Sequence, residues 1–278
     1  MRRQKTIHRE VHISGKGIHS GKEVNLRLKP SSSGQIIFRR TDLQDLQLPV
    51  DWRKIEAKNN SSLVSKGCRI QTLEHILAVL YVLDIDSLDI DIDGEEIPIT
   101  DGSASPFVQF LLPAGTLPLP LEKKSIKILK PFNVKEKGAS VSFLPHPEFE
   151  VSYGIEFDHP AIGRQEFSLL VKPESFIKEI APARTFGFLK DVPELRKQGL
   201  ALGGSLDNTL VLDDERVVNG PLRFRDEFVR HKMLDFIGDL SLVGHPIQGR
   251  AEAYRGGHHL HLRAVHFLFD HPEFWAYV

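Results

Sequence analysis

Apolar positions change period several times along this 278-residue chain. Residues 6–13 alternate loosely, residues 23–29 set Val24, Leu26 and Leu28 against polar neighbours, and residues 35–39 form another short run, so each predicts a half-buried strand. Ser14-Gly15-Lys16-Gly17-Ile18-His19-Ser20-Gly21 reads as a glycine-rich turn, and residues 59–69 are polar and turn-like. From Thr72 to Leu83 the spacing of Leu73, Ile76, Leu77, Leu80 and Leu83 becomes helical, with Glu74 near the end where the helix dipole favours an anion. A strand follows at 87–92, where Leu88, Ile90 and Ile92 alternate with aspartates, and Asp101-Gly102-Ser103-Ala104-Ser105-Pro106 opens a short helix carrying Phe107, Phe110 and Leu111. Residues 113–125 contain Pro113, Gly115, Pro118 and Pro120 and read as a linker, dividing the chain into two domains.

The second half repeats the theme. Strands are expected at 125–130, 139–144, 149–157, 165–170, 249–254 and 259–265, helical or loop segments at 173–180 and 191–198, and a long helix from near Glu227 through Gly238 to about Leu242. A weak internal repeat links the stretch from His75 to that from His231: each puts a histidine at the start of an apolar helix that feeds a strand through a short turn. Duplicated α/β modules packed face to face would bury the apolar side that each exposes alone.

Composition narrows the possible functions. The hydrophobic fraction of 41% is ordinary for a globular protein, and 36 basic against 37 acidic residues argue against nonspecific nucleic-acid binding. One cysteine, Cys68, rules out an internal disulfide framework, so any metal site is built from nitrogen and oxygen ligands. The basic start is followed by no long apolar stretch, and no run reaches transmembrane length, which predicts a cytoplasmic protein.

Thirteen histidines supply the chemistry. His231 and Asp235 stand four apart on the expected helix and can offer a nitrogen and an oxygen to one ion. Asp239 lies one turn further on the same face, and acidic groups in so apolar a helix are costly unless paired or metal-bound. His75 is the natural third ligand, and its neighbour Glu74 points differently, as a base beside a metal-activated water must. Arg255-Gly256-Gly257-His258 bends the chain so as to present an imidazole, but His259 and His261 follow and spacing alone does not choose among them. Ala183-Arg184-Thr185-Phe186 could bring a hydroxyl, a cation and a ring to the same place.

Several motifs in order carry a family resemblance. They are Gly15-Lys16-Gly17-Ile18-His19-Ser20-Gly21, Thr72-Leu73-Glu74-His75-Ile76-Leu77, Ile97-Pro98-Ile99-Thr100-Asp101-Gly102-Ser103, Ala183-Arg184-Thr185-Phe186-Gly187-Phe188, Gly203-Gly204-Ser205-Leu206-Asp207-Asn208-Thr209, Arg230-His231-Lys232 through Leu240, and Arg255-Gly256-Gly257-His258. Over nearly its whole length the chain resembles the UDP-3-O-acyl-N-acetylglucosamine deacetylases, zinc enzymes of lipid A synthesis in Gram-negative bacteria.

That resemblance implies an α+β fold of two similar domains, each with helices packed against a sheet and the active site between them. The first, residues 1–117, would carry a small strand insert near 40–62; the second, residues 124–278, a βαβ-like insert near 182–210. The second insert would form a passage for the substrate's acyl chain, with Phe186, Phe188, Leu189, Val192, Leu195, Leu200 and Leu202 as its apolar residues, a set that an ordinary small core would equally use. Carried over motif by motif, Zn2+ is held by His75, His231 and Asp235. Glu74 is the general base, His258 the general acid, Thr185 a support for the oxyanion, and Asp239 the carboxylate that orients the catalytic histidine. Lys232, Phe186, His19 and Arg255 contact substrate, and Asp158 to Arg164 resembles the nucleotide-side region. The implied partner is an acylated UDP-sugar. Neither nucleic acid nor a transmembrane segment is implied; the acyl product brings the protein transiently near a membrane surface, and a monomer suffices. Departures from the family pattern are Asn59-Asn60-Ser61-Ser62 in place of a more distinctive loop, Thr100 before Asp101-Gly102-Ser103, and His259 after His258. The competing readings are a zinc amidohydrolase for another acylated amine and a noncatalytic nucleotide-sugar or lipid-intermediate binding module.

Overall fold

The computed structural model describes residues 2–58 and 60–278, so Asn59 lies outside the described residues. The first half runs β1 (Arg3–Ile7), β2 (Val11–Lys16), β3 (Glu23–Pro30), β4 (Ile36–Arg40), β5 (Leu46–Pro49), β6 (Ile55–Ala57), β7 (Ser61–Ser65), β8 (Cys68–Ile70), α1 (Glu74–Val82), β9 (Leu88–Ile92), α2 (Ser105–Ala114) and β10 (Thr116–Glu122). The second runs β11 (Ile126–Ile128), β12 (Phe132–Glu136), β13 (Ala139–Leu144), β14 (Phe149–Glu156), β15 (Arg164–Leu170), α3 (Pro173–Glu179), β16 (Phe186–Phe188), α4 (Val192–Lys197), β17 (Leu210–Leu212), α5 (Glu227–Ser241), β18 (Ile247–Tyr254), α6 (His258–Asp270) and β19 (Trp275–Tyr277). The fold class is α+β, with helices packed on sheets.

Two sheets share one wiring. In the first, the order is β2-β3-β9-β4-β5: two antiparallel hairpins flank β9, which runs antiparallel to β3 and parallel to β4. In the second, hairpins β12-β13 and β14-β15 flank β18, which runs antiparallel to β13 and parallel to β14. β11 adds alongside the start of β18, and β19 pairs antiparallel to β11. In each half a buried helix, α1 or α5, feeds the central strand, and α2 or α6 follows it. The weak helix-to-strand repeat read from the sequence therefore has a counterpart in strand order.

The inner layer is helical. α1 is apolar nearly all round, with only Tyr81 not fully buried, as a helix enclosed on every side must be. α5 buries Phe228, Met233, Leu234, Phe236, Ile237 and Leu240. The two pack against each other at Gly238, where an added Cβ would lie 2.1 Å from the Glu74 carbonyl oxygen. That close approach sets Glu74 and His75 against His231 and Asp235. Gly238→Ala is expected to force the helices apart at a cost of about 1–3 kcal/mol, seen as a lower Tm. An unchanged Tm would mean that the helices are not in contact there.

Five expectations need correction. Residues 259–265 are helix, not strand: the alternation of His259, Leu260, His261 and Leu262 mimics period two, but the buried set Leu260, Ala264, Val265 and Leu268 is helical. Residues 59–69 hold β7 and β8, which with β6 make a three-stranded sheet over 55–70, later in the chain than the strand region placed near 40–62. β4 and β5 belong instead to the first large sheet. The proline-rich linker contains β10, paired with β1. Its prolines are tolerated because β10 has a partner on one side only. Ser14 to Lys16 lie in β2, ahead of the glycine turn. β16 and β17 run parallel with α4 between them, a βαβ arrangement over 186–212. Among the described residues, no helix is long and apolar enough to cross a membrane.

Candidate active site and metal centre

The first turn of α1 and the middle of α5 bring three donors together. His75 Nε2 lies 3.5 Å and His231 Nε2 3.4 Å from Asp235 Oδ1, all three side chains being buried. His231 Nδ1 bonds to the Ala183 carbonyl at 3.0 Å, so the carbonyl accepts the Nδ1–H and Nε2 keeps its lone pair. Burial depresses the His231 pKa to about 4, which keeps that nitrogen free to coordinate. A tetrahedral zinc with bonds of about 2.0–2.2 Å sets its ligand atoms roughly 3.3 Å apart. The donor set and its spacing fit such an ion. Lys232 Nζ donates to Asp235 Oδ2 at 2.9 Å. Burial opposes the charge on Asp235, but Lys232 and His231 outweigh it and hold the carboxyl well below its usual range.

Two further acid–base groups stand beside the triad. Glu74, Asp235 and His258 offer ligand-type atoms within 4.8 Å of one another. Glu74 Oε2 accepts the Ser61 backbone N–H at 3.0 Å, and burial raises its pKa. His258 begins α6 and donates from Nδ1 to Asp239 Oδ2 at 2.8 Å. Burial works against its charge, yet Asp239 and Glu74 prevail and lift it to about 9. His259 is exposed and faces Glu136, so of the two adjacent imidazoles only His258 turns toward the triad.

The supporting turns are conformationally demanding. Thr72 (φ 61°) and Arg255 (φ 51°) occupy the left-handed region just ahead of Glu74-His75 and His258. Thr72 Oγ1 donates to Glu96 Oε1 at 3.2 Å, and the same buried carboxylate accepts the backbone N–H groups of His19 at 2.8 Å and Ser20 at 2.7 Å. Glu96 thus ties the glycine turn to the start of α1.

A cavity of about 480 Å³ opens over these groups. Glu74, His75, Thr185, His231, Lys232, Asp235, His258 and His19 contribute polar groups to its lining. Phe186, Phe188, Leu189, Val192, Leu195 and Val211 contribute apolar surface to the same lining. Leu200 and Leu202 do not line it; Leu202 is exposed, and its backbone N–H bonds to the His19 carbonyl. Thr185 is held by its N–H on the Gly102 carbonyl and its carbonyl on the Leu210 N–H. Arg255 lies apart from the cavity, half exposed, with its guanidinium 3.7 Å from Glu156. His159 is occupied by the Asp213 carbonyl at 2.7 Å. A larger cavity, about 610 Å³, lies near Arg2, Tyr81 and Val278 and includes none of the site residues.

Sequence reasoning missed Ser61, Glu96 and Tyr153, and left His261 as one of three neighbouring histidines that spacing does not separate. Ser61 joins the two carboxylates, its N–H on Glu74 and its hydroxyl donating to Asp239 Oδ1 at 2.5 Å. It sits in the stretch read as a polar turn; a pair of small polar residues between strand-like neighbours was the available signal.

Two buried imidazoles and a carboxylate, flanked by a further carboxylate and a further imidazole, make the layout of a metal-dependent hydrolase. Comparison with known proteins agrees with the hydrolase part of that reading. Residues 4–270 match the family UDP-3-O-acyl N-acetylglycosamine deacetylase (LpxC). The chain is 43% identical over 272 residues to the UDP-3-O-acyl-N-acetylglucosamine deacetylase of Thermodesulfovibrio yellowstonii, covering 96% of this chain and 92% of that one. It is 41% identical over 285 residues to the same-named protein of Histophilus somni, covering 100% and 93%, and 43% identical over 260 residues to that of Nautilia profundicola, covering 93% and 89%. The chain belongs to the UDP-3-O-acyl N-acetylglycosamine deacetylase family.

Proposed function

We propose that the protein is a zinc-dependent deacetylase that hydrolyses the N-acetyl group of UDP-3-O-(3-hydroxyacyl)-N-acetylglucosamine in lipid A biosynthesis, in the cytoplasm. Products are acetate and the free 2-amino sugar nucleotide. The observation that carries the reading is the convergence of His75, His231 and Asp235 with Glu74 and His258 in the lining of a cavity that also carries Phe186, Phe188, Val192 and Leu195. Every one of these side chains comes from one chain, so a monomer suffices. The pairing of two similar modules through α1 and α5, with the site where they meet, belongs to the same proposal.

When bound by His75, His231 and Asp235, Zn2+ supplies Lewis acidity toward the amide carbonyl and toward water, whose pKa such an ion brings to about 7. The chain's own groups do the rest. Glu74, anchored on the Ser61 N–H, takes the proton of the attacking water. Thr185 stands at the cavity wall as a donor for the negative oxygen that develops. Asp239 accepts the Nδ1–H of His258, leaving Nε2 to deliver its proton to the departing nitrogen, so that an amine rather than an amide anion leaves. Lys232 and His19 line the sugar-nucleotide side of the cavity, and Phe186 stacks near the sugar. Arg255, turned toward Glu156, acts on the substrate only at the outer rim.

The acid and base roles set a pH profile. Glu74 must be ionised, so kcat/KM falls as pH drops through its raised pKa. His258 must be protonated, so kcat/KM falls as pH rises through about 9. Asp239→Asn removes a main support of that charge and is expected to move the basic limb to lower pH. A limb that stays in place in Asp239→Asn would contradict the assignment.

The function is tested by acetate release from the 3-O-acylated substrate and from the same sugar nucleotide without its acyl chain. Strong preference for the acylated form is expected from the cavity bounded by Phe188, Val192 and Leu195. Equal rates would leave a deacetylase without an acyl passage, and turnover of unrelated acylated amines alone would favour a different amidohydrolase.

A further inference from the structure

Asp239 is one of the most enclosed charges in the protein, 1% exposed, and it has more partners than the orientation of one histidine requires. Its Oδ1 takes the Ser61 hydroxyl. Its Oδ2 takes two imidazoles, His258 Nδ1 and His261 Nδ1, each at 2.8 Å. Residues 258 and 261 lie one turn apart on α6, so their side chains emerge on the same face. An ionised carboxylate only accepts, so both rings must carry hydrogen on Nδ1. The other nitrogens then differ. His258 Nε2 faces the cavity, whereas His261 Nε2 lies 3.0 Å from the Tyr153 hydroxyl.

We infer that His261 and Tyr153 are positioning residues for the proton-donating histidine: Tyr153 fixes the tautomer of His261, and His261 fixes the carboxylate on which His258 is aligned. The kinetic side of this inference rests on the deacetylase reading above. His261 is fully buried, and one carboxylate does not neutralise two imidazolium rings, so His261 is neutral and its Nε2 accepts the tyrosine O–H. Burial lowers the His261 pKa and raises that of Tyr153, in keeping with a neutral ring and an intact hydroxyl. With Ser61 on one oxygen and two N–H groups on the other, Asp239 has no freedom to rotate, and the direction of its bond to His258 is set. Without His261, one lone pair of a buried oxygen is unmatched and the carboxylate can pivot away from His258.

The turn before α6 is built around the same pair. A Cβ on Gly256 would lie 2.9 Å from His261 Nε2 and 3.2 Å from Tyr153 Oη. The Arg255 N–H bonds to the Gly154 carbonyl at 2.8 Å, next to Tyr153 on β14. The backbone that delivers His258 therefore rests directly on the tyrosine–histidine contact, which gives the glycine at 256 a packing reason.

Three variants and one spectrum test this. In His261→Asn, the side-chain NH2 occupies the place of Nδ1–H and can still donate to Asp239, so kcat should remain within several-fold of the wild type. His261→Leu keeps bulk but loses the donor, and kcat should fall about 10- to 100-fold, the usual effect of removing an outer-shell partner, with KM unchanged. Tyr153→Phe should lie between them. In zinc-loaded protein labelled with 15N-histidine, His261 should show a protonated Nδ1 and a bare, hydrogen-bonded Nε2, and Tyr153→Phe should shift the Nε2 signal. Equal losses in His261→Asn and His261→Leu, an unchanged kcat in His261→Leu, or a protonated Nε2 on His261 would each overturn the inference. Should the wild type release no acetate at all, the deacetylase reading fails while the nitrogen spectrum still decides the tautomer.

Discussion

Glu74→Gln should lower kcat by about 10²–10⁴-fold, the range general-base catalysis contributes, with zinc content and KM close to those of the wild type. Glutamine keeps the length of the side chain and an oxygen for the Ser61 N–H, so the α1–α5 contact and the neighbouring His75 should be undisturbed. What it loses is the lone pair that takes a proton. Glu74 is buried, its pKa is raised by that burial, and it belongs to a cluster with Asp235 and His258. A raised pKa makes it a stronger proton acceptor, once ionised, than an exposed carboxylate. Single-turnover acetate release with metal analysis on the same sample measures the effect. A variant that keeps both its metal and its full rate would remove Glu74 from the chemistry.

Asp235→Ala should do more damage by a different route. It deletes one of the three donors and also the partner of Lys232. The loss of zinc affinity should exceed the roughly 10- to 100-fold cost of losing an outer-shell group, and acetate release should fall with it. Stability should suffer as well, because Lys232 is left with an uncompensated charge. For a fully buried pair that costs about 3–5 kcal/mol, but Lys232 is 24% exposed and the cost here is smaller. The variant should therefore denature at a lower temperature even without metal, whereas His75→Ala, which strands no cation, should lose metal with little change in the metal-free Tm. Equal metal-free Tm values for Asp235→Ala and wild type would contradict the pairing of Lys232 with Asp235.

Much of this site is legible in the amino-acid sequence. The helical spacing around His75 and His231 is strong because α1 and α5 are buried on nearly all sides, and buried helices have to be apolar wherever chemistry does not intervene. Inside such helices the buried acidic residues, Glu74, Glu227, Asp235 and Asp239, are costly unless paired or metal-bound, and Glu227 is paired with Arg184. The order of motifs along the chain points to the same family that the comparison with known proteins identifies. The strand at β9 is equally plain from its alternation of isoleucine and aspartate.

The features that local sequence patterns conceal have physical reasons for being concealed. α6 is hidden because His259, Leu260, His261 and Leu262 alternate, and a short window cannot separate that from a helix whose polar face bears histidines. β7 resembles a turn because it buries two serines, Ser61 and Ser62, whose polar groups are used by Glu74, Asp239 and Asn60 rather than by solvent. β10 is masked by prolines that a strand with a single partner accommodates. Tyr153 and His261 are 108 residues apart; spacing leaves His261 unresolved among its neighbours, nothing local marks Tyr153, and only the packing of α6 and α5 against β14 and its neighbours joins them.

Metal depletion followed by reconstitution puts the metal-centred mechanism at greatest risk. Acetate release from UDP-3-O-(3-hydroxyacyl)-N-acetylglucosamine is followed with chelator-treated protein, then after stoichiometric zinc. Release should be lost in the depleted protein and return with one zinc per chain. Full activity in protein shown to be metal-free would contradict the mechanism, as would tight binding of the substrate with no acetate released under any divalent ion.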